Sequence, residues 1–245
     1  MRTVVITQAR TGSTRLPGKI FKEVLGKSLL EYHLERLRDI RQADDIVIAT
    51  TDQPADDKIA GFCREKNVNC YRGSEDDVLD RYYRAAKEYE AKAIVRVTSD
   101  CPLLDPEVVD GVITAFRDNA EKFDYASNTL ERTYPRGLDC EIFSTAVLEE
   151  IHGLAGDKAD REHVTAYIYR HPEKYRLLNV PRILDVSRYR WTVDTPDDFE
   201  LIRRILEALY PVNPKFRLDD CLRLFEQNPE WEKINQHIVQ KALEE

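Results

Sequence analysis

Three β-branched residues in a row, Val4-Val5-Ile6, lie in the apolar run Thr3 to Thr7 and open directly into Gln8-Ala9-Arg10-Thr11-Gly12-Ser13-Thr14-Arg15-Leu16-Pro17-Gly18-Lys19. An uncharged run of this kind suits a strand buried on both faces, as in a parallel sheet. The loop would then leave the carboxyl end of a central strand, where open α/β sheets bind their ligands. Gly12 and Gly18 let backbone N–H groups turn inward, Pro17 stiffens the turn, and Arg10, Arg15 and Lys19 add cations. The segment reads as a grip for a polyphosphate, with a solvated basic loop as the alternative. It is not a Walker A loop, because five residues separate Gly12 from Gly18 instead of four, and Ile20 stands where a metal-binding hydroxyl belongs.

The rest of the first half repeats the pattern. Strands are predicted at Thr3 to Thr7, Asp45 to Thr50, Val68 to Tyr71 and Ala93 to Thr98, and helices at Ser28 to Ile40, Ala55 to Lys66, Asp77 to Tyr89 and Pro106 to Asn119. Strands alternating with helices of this length imply a doubly wound α/β fold with a mostly parallel sheet covered on both faces. After Asn119 the rhythm changes. Short strands are expected at Asp124 to Asn128 and Leu138 to Phe143, helices at Thr145 to His152 and Arg161 to Arg170, and strands again at Tyr175 to Val180 and Arg190 to Val193. A helix follows over Asp197 to Leu209, with Pro196 in its first turn, and amphipathic helices fill Arg217 to Leu243. Residues 1–245 are read as one domain, with 124–180 as a small β-hairpin and helical insertion and 211–245 as a C-terminal helical extension.

Charge narrows the partners. A formal charge of -8 argues against a broad nucleic-acid surface, while a single nucleotide is still allowed. No apolar run approaches the length of a membrane span, and Met1-Arg2 passes straight into a strand, so a cytoplasmic protein with no membrane partner is expected. Five scattered cysteines with no C-x-x-C pair fit reduced thiols, and Cys101 and Cys140 read as small apolar fillers.

Two aspartates carry the chemistry. Asp100 closes the fourth long strand in Arg96-Val97-Thr98-Ser99-Asp100-Cys101-Pro102-Leu103, well placed for a hard cation, while Asp105 before Pro106 is the better cap for the next helix. Asp194, in Trp191-Thr192-Val193-Asp194-Thr195-Pro196-Asp197-Asp198, reads equally well as a helix N-cap or as a second cation ligand.

Together the opening loop, Thr98 to Leu103 and Val193 to Asp198 resemble the sugar-acid cytidylyltransferases, which include the acylneuraminate and 3-deoxy-manno-octulosonate enzymes. Gly73-Ser74-Glu75-Asp76-Asp77-Val78-Leu79-Asp80-Arg81, Arg136-Gly137-Leu138-Asp139-Cys140-Glu141 and Arg161-Glu162-His163-Val164-Thr165 are similar to the spore-coat polysaccharide branch of that family. The resemblance implies a nucleotide-binding set of Ala9, Arg10, Gly12, Ser13, Arg15, Lys19, Gly73, Ser74 and Thr98, and Mg2+ on Asp100 and Asp194. Arg10, Lys19 and the two aspartates would be catalytic. It also implies CTP as donor, an acidic sugar as acceptor and a homodimer. Where the 3-deoxy-manno-octulosonate enzymes read Gln-Gly-Asp, this chain has Thr98-Ser99-Asp100.

In the second half, Arg136 is placed to pair with a substrate carboxylate, and Asp139 and Glu141, two apart on a predicted strand, share a face that meets either substrate or solvent. His163 is read in the first turn of a helix capped by Asp160, as a substrate contact or a locally bonded ring. The expected reaction is attack of an acceptor hydroxyl on the α-phosphorus of CTP. Two alternatives stand beside it. One is a glycosyltransferase of the same architecture, whose usual Asp-x-Asp pair is Asp100-Cys101-Pro102 here; the other is a non-catalytic nucleotide- or sugar-binding module.

Overall fold

The computed structural model describes residues 1–240. In chain order the elements are β1 (Thr3–Gln8), the short hairpin β2 (Glu23–Val24) and β3 (Lys27–Ser28), α1 (Leu29–Arg38), β4 (Asp45–Thr51), α2 (Asp57–Glu65), β5 (Asn69–Gly73), α3 (Val78–Glu88), β6 (Ala93–Thr98) and α4 (Pro106–Asp118). There follow β7 (Tyr125–Ser127), β8 (Glu141–Ser144), α5 (Thr145–Leu154), α6 (Lys158–His163), α7 (Ala166–Arg170), β9 (Leu177–Asn179), α8 (Pro196–Leu209) and α9 (Leu218–Gln227).

Seven strands form one sheet in the order β5-β4-β1-β6-β8-β7-β9. The pairs β5–β4, β4–β1, β1–β6 and β7–β9 are parallel, and β8 runs antiparallel to both β6 and β7. From β1 the chain first winds outward through β4 and β5, then returns to the other side of β1 with β6. The strand order therefore reverses between β1 and β6, where a crevice opens at the carboxyl ends of an α/β sheet.

Alternation along β1 sorts the two faces. Val4 and Ile6 pack with α3 and α5 through Leu79, Tyr82, Leu148 and Ile151, while Val5 packs with α4 through Val109, Val112 and Ile113. Ile48 of β4 meets α1 and α2 on that second face through Leu30, Leu34 and Ile59. Helix starts follow the side chains that satisfy them. Ser28, Asp77, Asp105 and Ser144 each accept an N–H from the first turn of α1, α3, α4 and α5.

Three expectations need correction. Arg190 to Val193 forms no strand: its contact with the 134–140 loop is a single parallel bridge between Arg136 and Arg190. That approach demands glycine at 137, whose φ is 104° and where a Cβ would sit 2.6 Å from the Trp191 carbonyl. The helix expected over Arg161 to Arg170 is two short helices, broken at Val164 with φ 57° and ψ −60°. His163 therefore ends α6 instead of starting a helix, and Asp157, not Asp160, occupies the N-cap position. The strand expected from Leu138 begins only at Glu141, so Asp139 lies in the loop before β8. The C-terminal segment supplies α9 and a 3-10 turn at Pro229–Ile234, and the expected helix from 241 to 243 lies outside the described residues.

Candidate active site

The loop after β1 is shaped by its own backbone. Gly18 adopts φ 66°, its N–H bonds to the Thr11 carbonyl at 3.1 Å, and Lys19 N–H bonds to Leu16 at 3.2 Å. Buried Asp56, just before α2, fixes the other limb by accepting from the Thr11 amide at 2.7 Å, the Thr11 hydroxyl at 2.6 Å and the Thr51 hydroxyl at 2.5 Å. This leaves Arg10, Ser13, Arg15 and Lys19 along one wall of a cavity of 470 Å3. Ala9, Thr98, Ser99, Asp100, Asp194 and His163 line it too. Gly12, Gly73 and Ser74 do not. A Cβ at Gly12 would lie 3.7 Å from Glu75 Oε1, and Gly73 ends β5 while the Ser74 hydroxyl accepts from Asp77 N–H at 3.1 Å, shaping the turn into α3.

Asp100 and Asp194, far apart in sequence, meet around one ammonium. Lys19 Nζ donates to Asp100 Oδ2 and to Asp194 Oδ1, each at 2.8 Å. The second Asp194 oxygen holds Arg190 at 2.8 Å and Arg15 at 3.0 Å, and Arg190 also donates through Nε to buried Asp198 at 2.9 Å. Burial works to raise the Asp100 pKa, yet the Lys19 ammonium and its hydrogen bond hold it down at about 2. For Lys19, burial works to lower the pKa, and the two carboxylates raise it overall. Capping of α8 falls to Thr195, whose hydroxyl accepts from Asp198 N–H while the Asp198 carboxylate accepts from Thr195 N–H. Asp194 is thereby released from the capping role.

A neighbouring cavity of 780 Å3 shares Thr98 and His163 with the first and is lined by Arg132, Arg136, Asp139 and Glu141. Its acidic groups are engaged internally. Asp139 takes both guanidinium arms of Arg132, at 2.6 and 2.9 Å. Buried Glu141 sits directly across from Arg96 on β6 and pairs with it, and also accepts from Tyr125 OH at 2.5 Å and Thr165 Oγ1 at 2.7 Å. Arg136 has no ion pair among the described residues, and burial with the nearby Arg132 and Arg190 guanidinium groups lowers its pKa. Such a crowded cation suits an anionic group. A further cavity, of 750 Å3, lies at the opposite, amino-terminal ends of β4 and β5.

Three contributors escaped the sequence reading. Arg81 of α3 is almost wholly buried yet lines the first cavity, with one arm on the Ser74 carbonyl at 3.0 Å and an unpartnered Nε. Asp56 anchors the loop, and Arg190 anchors Asp194. Arg81 belongs to the segment singled out for its resemblance, but its burial is visible only once α3 is packed. The other two are ordinary charged residues until the fold brings them to the site. The segments 73–81 and 161–165 do converge, through Arg161 donating to both Asp77 oxygens at 2.5 to 3.0 Å.

Among the described residues no group of three or more His, Cys, Asp or Glu side chains forms a metal cage. Two carboxylates whose oxygens already converge on a single cation fit Mg2+ nevertheless, because that ion is usually held by one or two carboxylates with phosphates and water completing its shell. No helix among the described residues is long and apolar enough to cross a membrane.

A phosphate-type loop and a carboxylate pair facing each other across the switch point of a mostly parallel sheet define a nucleotidyltransferase. The sequence model of the cytidylyltransferase family matches residues 4–231, and the chain belongs to that family. The spore coat polysaccharide biosynthesis protein SpsF of Bacillus subtilis is 33% identical over 232 residues, covering 92% of this chain and 94% of that one. A cytidylyltransferase structure from Leptospira borgpetersenii superposes with a TM-score of 0.91 at 33% identity, over 99% of this chain and all of that one. A CMP:2-keto-3-deoxy-manno-octonic acid synthetase structure complexed with CTP shares the fold, with a TM-score of 0.65 at 16% identity over 84% of this chain and 99% of that one.

Proposed function

We propose that this cytidylyltransferase moves CMP from CTP to a hydroxyl of an acidic sugar, releasing pyrophosphate, as a cytoplasmic homodimer serving surface polysaccharide or glycoconjugate synthesis. The observation that carries the reading is the convergence of Asp100, Asp194 and Lys19 beside a cavity walled by Arg10, Ser13 and Arg15. The relatives support it: SpsF is named for spore coat polysaccharide synthesis, and the octonic acid synthetase for joining CMP to a sugar acid.

Displacement at phosphorus asks a protein for alignment and charge neutralisation more than for covalent chemistry. Lys19 and Arg15, with Arg10 at the loop entrance, neutralise the β- and γ-phosphates that leave as pyrophosphate. Asp100 and Asp194 are the residues that would hold Mg2+, which supplies charge neutralisation at the phosphates when bound. Arg136, in the adjoining cavity, pairs with the acceptor's carboxylate and turns its hydroxyl toward the boundary marked by Thr98 and His163. Ser13 and the loop amides orient the triphosphate, and Arg81 supplies a buried charge to the same cavity.

The test is pyrophosphate release from CTP, UTP, ATP and GTP with magnesium against a panel of keto-sugar acids. CTP with at least one acid is expected to give turnover at least tenfold above any other combination. Equal rates with all four nucleotides, or no release with any acid, would sink the proposal. Light scattering at micromolar concentration is expected to give twice the chain mass, and a monomer would remove the homodimer from it.

A further inference from the structure

The charges around Asp194 balance without any metal. Asp100, Asp194 and Asp198 face Lys19, Arg15 and Arg190, three anions against three cations joined by contacts of 2.8 to 3.0 Å. Lys19 Nζ lies where a cation shared by the two carboxylates would lie, and both Lys19 and Asp194 are largely shielded from solvent. A divalent ion at roughly 2.0–2.1 Å from the same oxygens leaves no room for an ammonium in contact with them. It would also add two uncompensated charges to a partly buried cluster.

The geometry points to Lys19 as the resident counter-cation of the Asp100–Asp194 pair, a built-in occupant that a nucleoside triphosphate draws away before a divalent ion enters. This rests on the reading of the two aspartates as cation ligands given above. The exchange needs only a side-chain swing. The Lys19 backbone is pinned by its N–H to Leu16 and its carbonyl to Lys22 at 3.1 Å, while its four-carbon stem is flexible. Its destination is the same cavity, whose wall carries Arg10, Ser13 and Arg15. Asp194 does not follow, because Arg190 stays on its other oxygen and is itself clamped by Asp198 at 2.9 Å. A triphosphate offers Lys19 and Arg15 new anions and reverses the local sign of charge, so nucleotide and metal affinities rise together by the same factor.

Mn2+ binding to the full-length protein, followed by electron paramagnetic resonance without nucleotide, tests the exchange independently of turnover. Wild-type protein is expected to bind Mn2+ weakly, Lys19→Met and Lys19→Gln at least tenfold more tightly, and the double variant Lys19→Met/Asp100→Asn no better than wild type. CTP added to wild type should raise Mn2+ affinity at least tenfold beyond what the nucleotide binds in solution, and this gain should shrink in Lys19→Met. The two single variants must retain the wild-type circular dichroism spectrum. If both remain folded and bind Mn2+ no more tightly than wild type, or if the gain survives Asp100→Asn, the counter-cation role is wrong. If the Lys19 variants gain Mn2+ as expected while no acceptor yields pyrophosphate, the exchange stands and the proposed reaction falls.

Discussion

Glu141 separates a substrate ligand from a buried strut, and Glu141→Gln tells them apart. Its carboxylate is shielded on the β6–β8 ladder opposite Arg96, which is itself mostly buried, and both of its oxygens are already engaged. Glutamine has one side-chain oxygen: kept for Tyr125 OH and Thr165 Oγ1, it leaves an NH2, itself only a donor, facing Arg96. Among the described residues that guanidinium then keeps a long hydrogen bond to Gln8 Oε1 at 3.4 Å and its place over the Tyr82 ring, 6.0 Å from the centroid. Breaking one side of a buried ion pair costs roughly 3–5 kcal/mol, and the retained acceptor places this case at about 3. For a chain of this size each kcal/mol moves Tm by roughly 2–4 °C, so a fall of about 6–12 °C is expected. Urea titration should show a lower midpoint with an unchanged slope, while KM for CTP and acceptor measured well below the transition stay within about threefold. A stability loss under about 1 kcal/mol together with a tenfold rise in acceptor KM would overturn the strut and make Glu141 a sugar ligand. As a control, Arg96→Met/Glu141→Gln should recover much of the loss, since it removes both buried charges and leaves the glutamine oxygen for Tyr125 OH and Thr165 Oγ1.

Asp100→Asn and Asp194→Asn should each cut turnover at least a hundredfold and the double variant little further, while Thr195→Ala should cost about 1 kcal/mol of stability and leave turnover near normal; multiplicative losses in the double variant would refute the pairing. His33 is wholly buried, bonded to Thr7 Oγ1 at 3.0 Å and the Cys101 carbonyl at 2.9 Å, and burial lowers its pKa from 6.5 to about 4. Between those values the unfolded chain binds a proton that the folded one refuses, so stability falls as pH drops from about 6.5 to 4, by up to roughly 3 kcal/mol, and urea titrations of His33→Gln should show a shallower slope there than wild type. Gly137→Ala should destabilise by at least about 2 kcal/mol, because its Cβ meets the Trp191 backbone at a φ that disfavours side chains; an unchanged Tm would contradict the close approach.

The central sheet was legible because its signal is local. Val4-Val5-Ile6 and Ala93 to Thr98 fill a parallel sheet with β-branched residues, and Asp105-Pro106 carries both a cap and its first-turn proline. The second half was less legible because its strands are three or four residues long and are specified by partners. Arg190 to Val193 has strand-like composition, yet its single bridge arises from a glycine at 137 that lets two backbones touch. Val164 breaks a pattern that reads as continuous helix, and its side chain is wholly buried in the core against α3 and α5, so tertiary packing overrides local preference. The same contrast holds at the site. Lys19 and Asp100 stand out because a glycine turn and a strand end announce them. Asp194 could not be told from a cap, since Asp-Thr-Pro-Asp-Asp offers the helix start several acceptors. What decides is a one-residue shift: Thr195 and Asp198 close the capping box between themselves, and the carboxylate that local bonding does not need is the one that turns to Lys19. A residue's freedom from local hydrogen bonding is thus what admits it to the site, and that freedom is a property of its neighbours as much as of itself.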